Sequence, residues 1–165
     1  LGKRPGDVSA YAASTLYAVD RYASYRQDWQ GDYEGGKLIL ADRYTTSNAV
    51  HQAPKLPEGE RWAYLEWLFD LEYRRLALPE PDLVIYLDLP AELSEQMLRR
   101  RQEATHTQAD IHEMDGDYLR ACRESTREIA DKLGWRRVDC SRDGTVRSPE
   151  DIHGELWELV RPLVV

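Results

Sequence analysis

The sequence has few cysteines, no long apolar run and no secretion-type start. Its 165 residues include two cysteines, Cys122 and Cys140, which are too few and too isolated for a disulfide framework and form no CxxC pair. No apolar stretch approaches the roughly 20 residues that cross a bilayer, and no signal-peptide pattern opens the chain. We therefore expect a cytoplasmic protein with reduced thiols and no membrane partner.

Several motifs of common binding sites are also missing. The four histidines stand in no HExxH or CxxC-and-His pattern, which argues against a metal cage. The glycine doublet Gly35-Gly36 precedes an apolar run instead of following one, so it forms no dinucleotide loop. Neither GxSxG nor the phosphate-binding loop GxxxxGK[ST] occurs. The formal net charge of −8 argues against a nucleic-acid partner, because a phosphate backbone demands a basic face.

The composition, 42% hydrophobic and 32% charged, is that of an ordinary globular domain. Apolar spacing and turn residues predict these elements in order: a helix over 8–26, a turn-prone stretch over 30–36, a buried strand over 37–42, a helix over 58–76, a strand over 82–88 that is buried on both faces, a helix from Pro90, a helix ending at Leu133, a strand over 135–140 and a last helix after Ser148. Strands separated by helices need parallel crossovers. The pattern predicts one α/β domain over 1–165, a doubly wound parallel sheet flanked by helices.

Chemistry-bearing residues follow the predicted strands. Ligands of such sheets bind beyond the carboxyl ends of the strands, which points to Asp42-Arg43-Tyr44, Asp88 and Cys140-Ser141-Arg142. An arginine there can fork two N–H groups onto a phosphate. A purely structural pair of Asp42 with Arg43 is the alternative, although charges beside a buried strand usually have a partner or a ligand.

Three segments carry a family resemblance. DRYTTSNAVHQ (42–52) resembles the DRY motif of thymidylate kinases, commonly written DRYxxSNxAxQ. PDLVIYLDLPAELSEQMLRRR (81–101) resembles a second block of that family, and YAASTLYAVDRY (11–22) resembles its first helix. Together with the C-terminal helix they cover nearly the whole chain, in the family's order. The resemblance implies a nucleoside monophosphate kinase of the P-loop NTPase type, which uses ATP and Mg²⁺ to phosphorylate dTMP. It also implies a homodimer through the 8–26 helix.

The resemblance assigns residues to the dTMP base and phosphate. Tyr17 matches the position that stacks on thymine, and Arg21 matches the arginine that contacts a base carbonyl. Read without the family, the two residues suit helix packing and a surface salt bridge. Arg43 matches the arginine that grips the dTMP phosphate. Asp42 matches the motif acid near the transfer site, where it would reach Mg²⁺ only through water, so no direct metal ligand is expected.

The resemblance also assigns the rest of the DRY segment. Tyr44 would pack near the sugar, while Ser47 and Asn48 match positions that reach the base; a carboxamide suits thymine because it offers a donor and an acceptor. His51 departs from the family, which often has Tyr against the deoxyribose there, and a solvent-facing histidine is the alternative. Gln52 follows the motif and would bind dTMP or only line its pocket.

The residues that the resemblance assigns to ATP lie in the second block and directly after the last predicted strand. Arg99 and Arg101 match lid arginines, within a lid over about 99–115, and with Asp42 and Arg43 they complete the expected catalytic set. Positioned cations stabilise the charge of a transferring phosphoryl group. A simple match of the arginines to the helix dipole is the alternative. Ser141 and Arg142 match the loop that borders adenine.

The absent phosphate-binding loop limits these expectations. In this family it precedes the first helix, whereas the sequence opens at Leu1 without a Met. We expect an N-terminally incomplete domain that keeps most acceptor contacts and does not catalyse transfer by itself. Two rival readings stay open: a deoxynucleoside kinase, which would take a nucleoside instead of dTMP, and a non-catalytic fragment or interaction module.

Overall fold

The computed structural model describes residues 8–105 and 116–164. They belong to two compact units, Leu1–Pro81 and Asp82–Val165. The first unit contains α1 (Ala10–Ser24), a π-helical segment (Tyr25–Trp29), α2 (Gln30–Glu34), α3 (Thr45–Gln52), a 3-10 turn (Ala53–Lys55), α4 (Glu58–Phe69) and a second π-helical segment (Asp70–Arg75). The second unit contains β1 (Ile85–Asp88), α5 (Ala91–Thr105), α6 (Gly116–Leu133), β2 (Arg136–Asp139), β3 (Ser141–Arg142), β4 (Thr145–Val146), α7 (Pro149–Val160) and a 3-10 turn (Arg161–Leu163).

The first unit packs α1 against α3 and α4. Ser9 caps α1 by accepting a hydrogen bond from the amide of Ala12 at 3.2 Å. The buried positions of α1 are small, Ala10, Ala13, Ser14 and Ala18, which allows a neighbouring helix to approach closely. Across that contact the hydroxyls of Ser14 and Tyr64 lie 2.7 Å apart. At this contact, small side chains of α1 face the buried aromatic ring of Tyr64.

The turn predicted over 30–36 is wrong for most of its length, because the helical chain continues to Glu34. Tyr25, Trp29 and Tyr33 follow one another at four-residue spacing, with ring centroids 4.7 Å and 6.3 Å apart. Such i,i+4 aromatic contacts stabilise helical turns and outweigh the low helix propensity of Gly31. α2 ends at Glu34, and Gly36, two residues further on, adopts a positive φ of 79°.

The buried strand predicted over 37–42 is not found. Leu38 is 58% exposed and Leu40 is 87% exposed, and none of the strands in the described part of the chain pairs with this segment. An extended segment without a paired neighbour leaves its backbone groups to water. The DRY segment that follows contains the helix α3, for which the sequence analysis predicted no element.

The second unit confirms the parallel crossover that the sequence predicts. β1 pairs in parallel with β2, from Ile85 opposite Arg136 to Asp88 opposite Asp139. Burial of the first strand on both faces is wrong, since Leu87 is 51% exposed. An antiparallel hairpin of β3 and β4 was not predicted.

Two helix ends of the second unit are confirmed. α6 ends before Gly134, whose φ of 70° suits a residue without a Cβ. α7 begins at Pro149, after Ser148 accepts a hydrogen bond from the amide of Asp151 at 3.1 Å. Within the described residues, no helix combines the length and apolar character needed to cross a bilayer.

Candidate nucleotide site

A buried carboxylate stands at the centre of the first unit. Glu72 lies on the π-helical segment that continues α4, and its side chain is 0% exposed. The hydroxyl of Thr45 donates to Oε2 of Glu72 at 2.9 Å, and Nδ2 of Asn48 donates to Oε1 at 3.3 Å. Both donors belong to α3. The Glu72 carboxylate therefore links the DRY segment to the π-helical segment that continues α4.

Arg21 of α1 completes this cluster. Its Nε lies 2.9 Å from Oε2 of Glu72, and its side chain is 15% exposed. The guanidinium carbon lies 5.5 Å from the centre of the Tyr44 ring, a cation–π contact. Tyr44 in turn donates its hydroxyl to the carbonyl of Pro79 at 2.9 Å. The structure therefore brings Arg21, Tyr44 and Asn48 together around Glu72.

Burial governs the electrostatics of this cluster. It raises the pKa of the Glu72 carboxyl, while Arg21, Thr45 and Asn48 act in the opposite direction. Burial also raises the pKa of the Tyr44 hydroxyl. A buried charge is costly unless it is paired and hydrogen-bonded, and here the pairing is provided by one guanidinium and two neutral donors.

Arg43 lies two residues before α3 in a strained backbone conformation. Its φ is 69°, which side chains with a Cβ rarely adopt. Its Nε donates to the hydroxyl of Ser47 at 2.8 Å, and both Arg43 and Asp42 are exposed. Such strained residues are found where the surrounding structure fixes a functional group. The arrangement presents a cation at the solvent-facing side of α3.

Three other expected dTMP residues occupy different environments in this unit. Tyr17 on α1 is 50% exposed. His51 is half-buried on α3. Gln52 is 7% exposed, and its Oε1 accepts no hydrogen bond from the residues that the structure describes. A buried acceptor without a partner is costly, so Gln52 has one bond to offer a ligand.

The expected ATP residues belong to the second unit. Arg99 and Arg101 are exposed on α5, Ser141 is half-buried on β3, and Arg142 is exposed beside it. Of the lid expected over about 99–115, residues 99–105 are part of α5 and residues 106–115 lie outside the described part of the chain. These four residues are therefore located on two elements of one unit.

Asp88 was a candidate because it lies at the end of a predicted strand, at the edge where ligands of such sheets bind. In the structure its carboxylate is paired with arginines. Its carboxylate is 0% exposed and accepts hydrogen bonds from Nε of Arg123 and Nε of Arg127, both at 2.6 Å. Nε of Arg137 lies 4.0 Å away. Asp88 thus joins β1 to α6, and each of its buried carboxylate oxygens already accepts a hydrogen bond from an arginine.

Tyr86, near Asp88 and its arginines, should make the free energy of unfolding depend on pH in the alkaline range. Burial and, secondarily, repulsion from Asp88 raise its pKa from 10.0 to about 12, against the attraction of the arginines. Between these values the unfolded chain loses the proton first, so the free energy of unfolding falls as pH rises. We expect Tyr86→Phe to flatten this fall in urea titrations at pH 9 to about 12. Equal slopes in both proteins would contradict the assignment.

The described residues form no metal cage. Among residues 8–105 and 116–164, no group of three or more His, Cys, Asp or Glu side chains could hold a metal ion. Asp42 supplies a single exposed carboxylate. One or two carboxylates suffice for Mg²⁺ when nucleotide phosphates and water supply the remaining ligands. The donor set is therefore compatible with Mg²⁺ that arrives with a nucleotide.

Comparisons with known proteins agree on one family. The family model for thymidylate kinase matches residues 2–150. The thymidylate kinase of Mycobacterium tuberculosis (strain ATCC 25618 / H37Rv) is 34% identical over 153 residues, which cover 87% of this chain and 71% of that protein. A probable thymidylate kinase of Thermococcus onnurineus (strain NA1) is 31% identical, covering 93% of this chain and 66% of that protein. The thymidylate kinase of Synechococcus sp. (strain RCC307) is 30% identical, with 88% and 62% covered. The chain thus spans about two thirds of the length of these relatives.

The matches indicate a broad fold class and, within it, a family. The family implies the α/β fold of the P-loop NTPases, and the parallel pairing of β1 with β2 is consistent with it. Within that class, the chain belongs to the thymidylate kinase family.

Sequence reasoning missed Glu72 and Thr45. A signal for Glu72 was present: it follows Leu68 by four residues and precedes Leu76 by four, so it lies on the apolar stripe of the predicted 58–76 helix. A charged residue on such a stripe indicates a buried partner. Thr45 carried no comparable signal, since a threonine in a polar segment is common on a surface.

Proposed function

We propose that this chain carries the dTMP-binding part of a thymidylate kinase, which transfers a phosphoryl group from ATP to dTMP. In this reaction a phosphate oxygen of dTMP attacks the γ-phosphorus of ATP, the bond to the β,γ-bridging oxygen breaks, and dTDP and ADP form. The observation that carries the proposal is the cluster of Arg21, Tyr44 and Asn48 around Glu72, in a chain that belongs to this family.

The geometry supports separate roles for the acceptor base and phosphate. Thymine presents carbonyl acceptors and one N–H donor, which suit the guanidinium of Arg21 and the carboxamide of Asn48. Ser47 and Tyr17 would flank the base. Arg43, exposed and fixed by Ser47, would fork onto the phosphate. Such contacts place the reacting oxygen, and positioning supplies much of the catalysis of phosphoryl transfer.

The remaining acceptor residues would contact the deoxyribose. Tyr44 is held by its bond to Pro79, so its ring has a fixed position beside Arg21. His51 and Gln52 follow on the same helix, and the unpaired Oε1 of Gln52 could accept a hydrogen bond from a sugar hydroxyl. Asp42 would act near the transfer site.

The donor side is proposed on family grounds. Arg99, Arg101, Ser141 and Arg142 would contact ATP, with the arginines in a lid over about 99–115 of a single kinase domain, 1–165, built on a doubly wound sheet. Mg²⁺, when bound with the nucleotide, would neutralise phosphate charge, with Asp42 reaching it through water. The sequence contains no GxxxxGK[ST] loop.

A homodimer in the cytoplasm completes the proposal. The α1 helix exposes apolar side chains that a second copy could cover, including Leu16 at 51% and Val19 at 56% exposure. Exposed apolar groups in one patch mark interaction surfaces. Sedimentation equilibrium of the purified chain tests the dimer, and a monomer at all concentrations would refute it.

The test of the function is acceptor binding, since the acceptor residues lie in the first unit. We expect the chain to bind dTMP more tightly than thymidine, because only dTMP offers a phosphate to Arg43. Calorimetric titration of both ligands, without ATP, measures the difference. Tighter binding of thymidine would favour a deoxynucleoside kinase, and binding of neither would favour a non-catalytic module. Neither rival is favoured by the relatives, which are named thymidylate kinases.

A further inference from the structure

We infer that Glu72 is the positioning residue of the acceptor-base site: it holds Arg21 in place and sets the direction in which the Asn48 amide faces. This inference rests on the proposed function, because it assigns Arg21 and Asn48 to a pyrimidine base. Glu72 itself is fully buried and is a core residue, so it acts through those two side chains.

The direction of Asn48 follows from the chemistry of a carboxylate. An ionised carboxylate only accepts hydrogen bonds, so the Asn48 amide must present its NH₂ group to Glu72, as the 3.3 Å contact from Nδ2 shows. The backbone of the same residue is held as well, because Tyr64 donates its hydroxyl to the Asn48 carbonyl at 3.3 Å. With backbone and Nδ2 both fixed, Oδ1 is committed to the opposite side as an acceptor.

The position of Arg21 follows from the ion pair. Glu72 takes the Nε edge of the guanidinium at 2.9 Å, and the Tyr44 ring covers one face. The contact with Glu72 is an ion pair outside hydrogen-bond geometry, because the buried Nε finds no hydrogen-bond acceptor among residues 8–105 and 116–164. The guanidinium also carries two Nη groups, and these are the donors that would face a ligand. One buried carboxylate therefore orients a set of donors and one acceptor.

Core packing does not by itself call for a carboxylate at this position. Position 72 lies in the core, four residues from Leu68, which is also fully buried. Replacing a buried ion pair as a whole by apolar side chains of similar volume is often neutral or stabilising, so packing alone does not require Glu72 and Arg21 to be charged. The cost of the buried charge is offset by three partners on two other helical elements, and all three belong to the proposed site or support it.

The test is Glu72→Gln, which keeps the shape and loses the acceptor-only character. A glutamine can offer its own NH₂ group, so Asn48 would no longer be restricted to one orientation, and Arg21 would lose its counter-charge. We expect the affinity for dTMP to fall roughly tenfold, within the range for coupled neighbours. Glu66→Gln, on the exposed side of α4, is the matched control and should leave dTMP affinity unchanged.

Two further measurements separate positioning from loss of fold. Deoxyribose 5-phosphate lacks the base, so its affinity should be equal in wild type and Glu72→Gln, whereas a damaged fold would weaken both ligands. In the Arg21→Ala background, Glu72→Gln should cost much less dTMP affinity, because most of its effect runs through Arg21. Circular dichroism of each variant verifies that it is folded.

The outcomes distinguish this inference from the function on which it rests. Loss of dTMP affinity with retained deoxyribose 5-phosphate affinity, together with non-additivity with Arg21→Ala, supports it. If the wild-type chain binds dTMP and Glu72→Gln binds it equally well, the inference fails and the function stands. Equal losses for both ligands, or additive effects, overturn it in favour of a structural role. No dTMP binding by the wild type overturns both.

Discussion

Replacing Arg43 by alanine should weaken dTMP binding and leave thymidine binding unchanged. Arg43 is exposed and its Nε is fixed by the Ser47 hydroxyl at 2.8 Å, so its guanidinium is available for a phosphate. Hydrogen bonds to charged groups contribute about 1.5–3 kcal/mol, which predicts a loss of roughly 10- to 150-fold for dTMP. Calorimetric titration of both ligands against wild type and Arg43→Ala measures this difference.

The backbone of Arg43 allows a sharper version of the same experiment. Arg43 and Ala77 both have positive φ values, 69° and 50°, so glycine at either position should relieve strain and raise the free energy of unfolding by about 0.5–1 kcal/mol. Ala77→Gly is thus a matched control for Arg43→Gly. We expect both variants to gain stability in urea titrations, and only Arg43→Gly to lose dTMP affinity.

The controls define what would contradict the role of Arg43. Arg74→Ala removes another exposed arginine of the same unit and should leave both affinities unchanged. An equal loss of dTMP and thymidine in Arg43→Ala would indicate a general disturbance of α3. Unchanged dTMP affinity would remove the phosphate contact from the proposal, and with it the main argument for a monophosphate acceptor.

Local signals in the sequence were sufficient for the helix ends and for one strand pair. Ser148-Pro149 and Gly134 mark helix boundaries through capping and through a positive φ, and these preferences depend on few neighbours. The apolar run around Ile85 identifies β1 for a similar reason. The run over 37–42 is also apolar at its centre. Its burial as a strand would depend on which strands pair with it, and composition does not encode pairing partners.

The continuous helix to Glu34 was missed for a different reason. Glycines and polar residues over 30–36 resemble a turn when each residue is read by its own propensity. The aromatic contacts from Tyr25 through Trp29 to Tyr33 are interactions between side chains one turn apart, and they outweigh those propensities. A search for i,i+4 aromatic pairs would have found them.

The candidate site was predictable in part. The resemblance to a family motif identified the DRY segment and Arg21. For Arg21 the sequence left two interpretations open: contact with a ligand, or a salt bridge with an acidic residue at the surface. The structure gives Arg21 an acidic partner, Glu72, but places the pair in the interior. A surface pair would contribute little, whereas a buried one fixes geometry. Which carboxylate meets which arginine depends on tertiary packing that helical spacing alone does not supply.

Asp88 should prove important for stability and unimportant for dTMP. The rule that ligands bind at strand ends points to this residue, but its carboxylate already accepts from Arg123 and Arg127 at 2.6 Å each. Asp88→Asn removes the charge and one acceptor oxygen from a fully buried position. Loss of a buried partner costs about 3–5 kcal/mol, and partial exposure of the arginines reduces the expected loss to about 2–3 kcal/mol.

Urea denaturation of wild type and Asp88→Asn measures the free energy of unfolding, and Asp139→Asn is the matched control. Asp139 is the partner of Asp88 across the two strands, but its side chain is 64% exposed and 3.9 Å from Arg137. Its loss should cost under about 0.5 kcal/mol, as for a surface pair. If Asp88→Asn weakens dTMP binding while unfolding like wild type, Asp88 is a ligand residue, and the arginines around it belong to a binding site. If it unfolds more easily and binds dTMP normally, its carboxylate serves to hold α6 against β1.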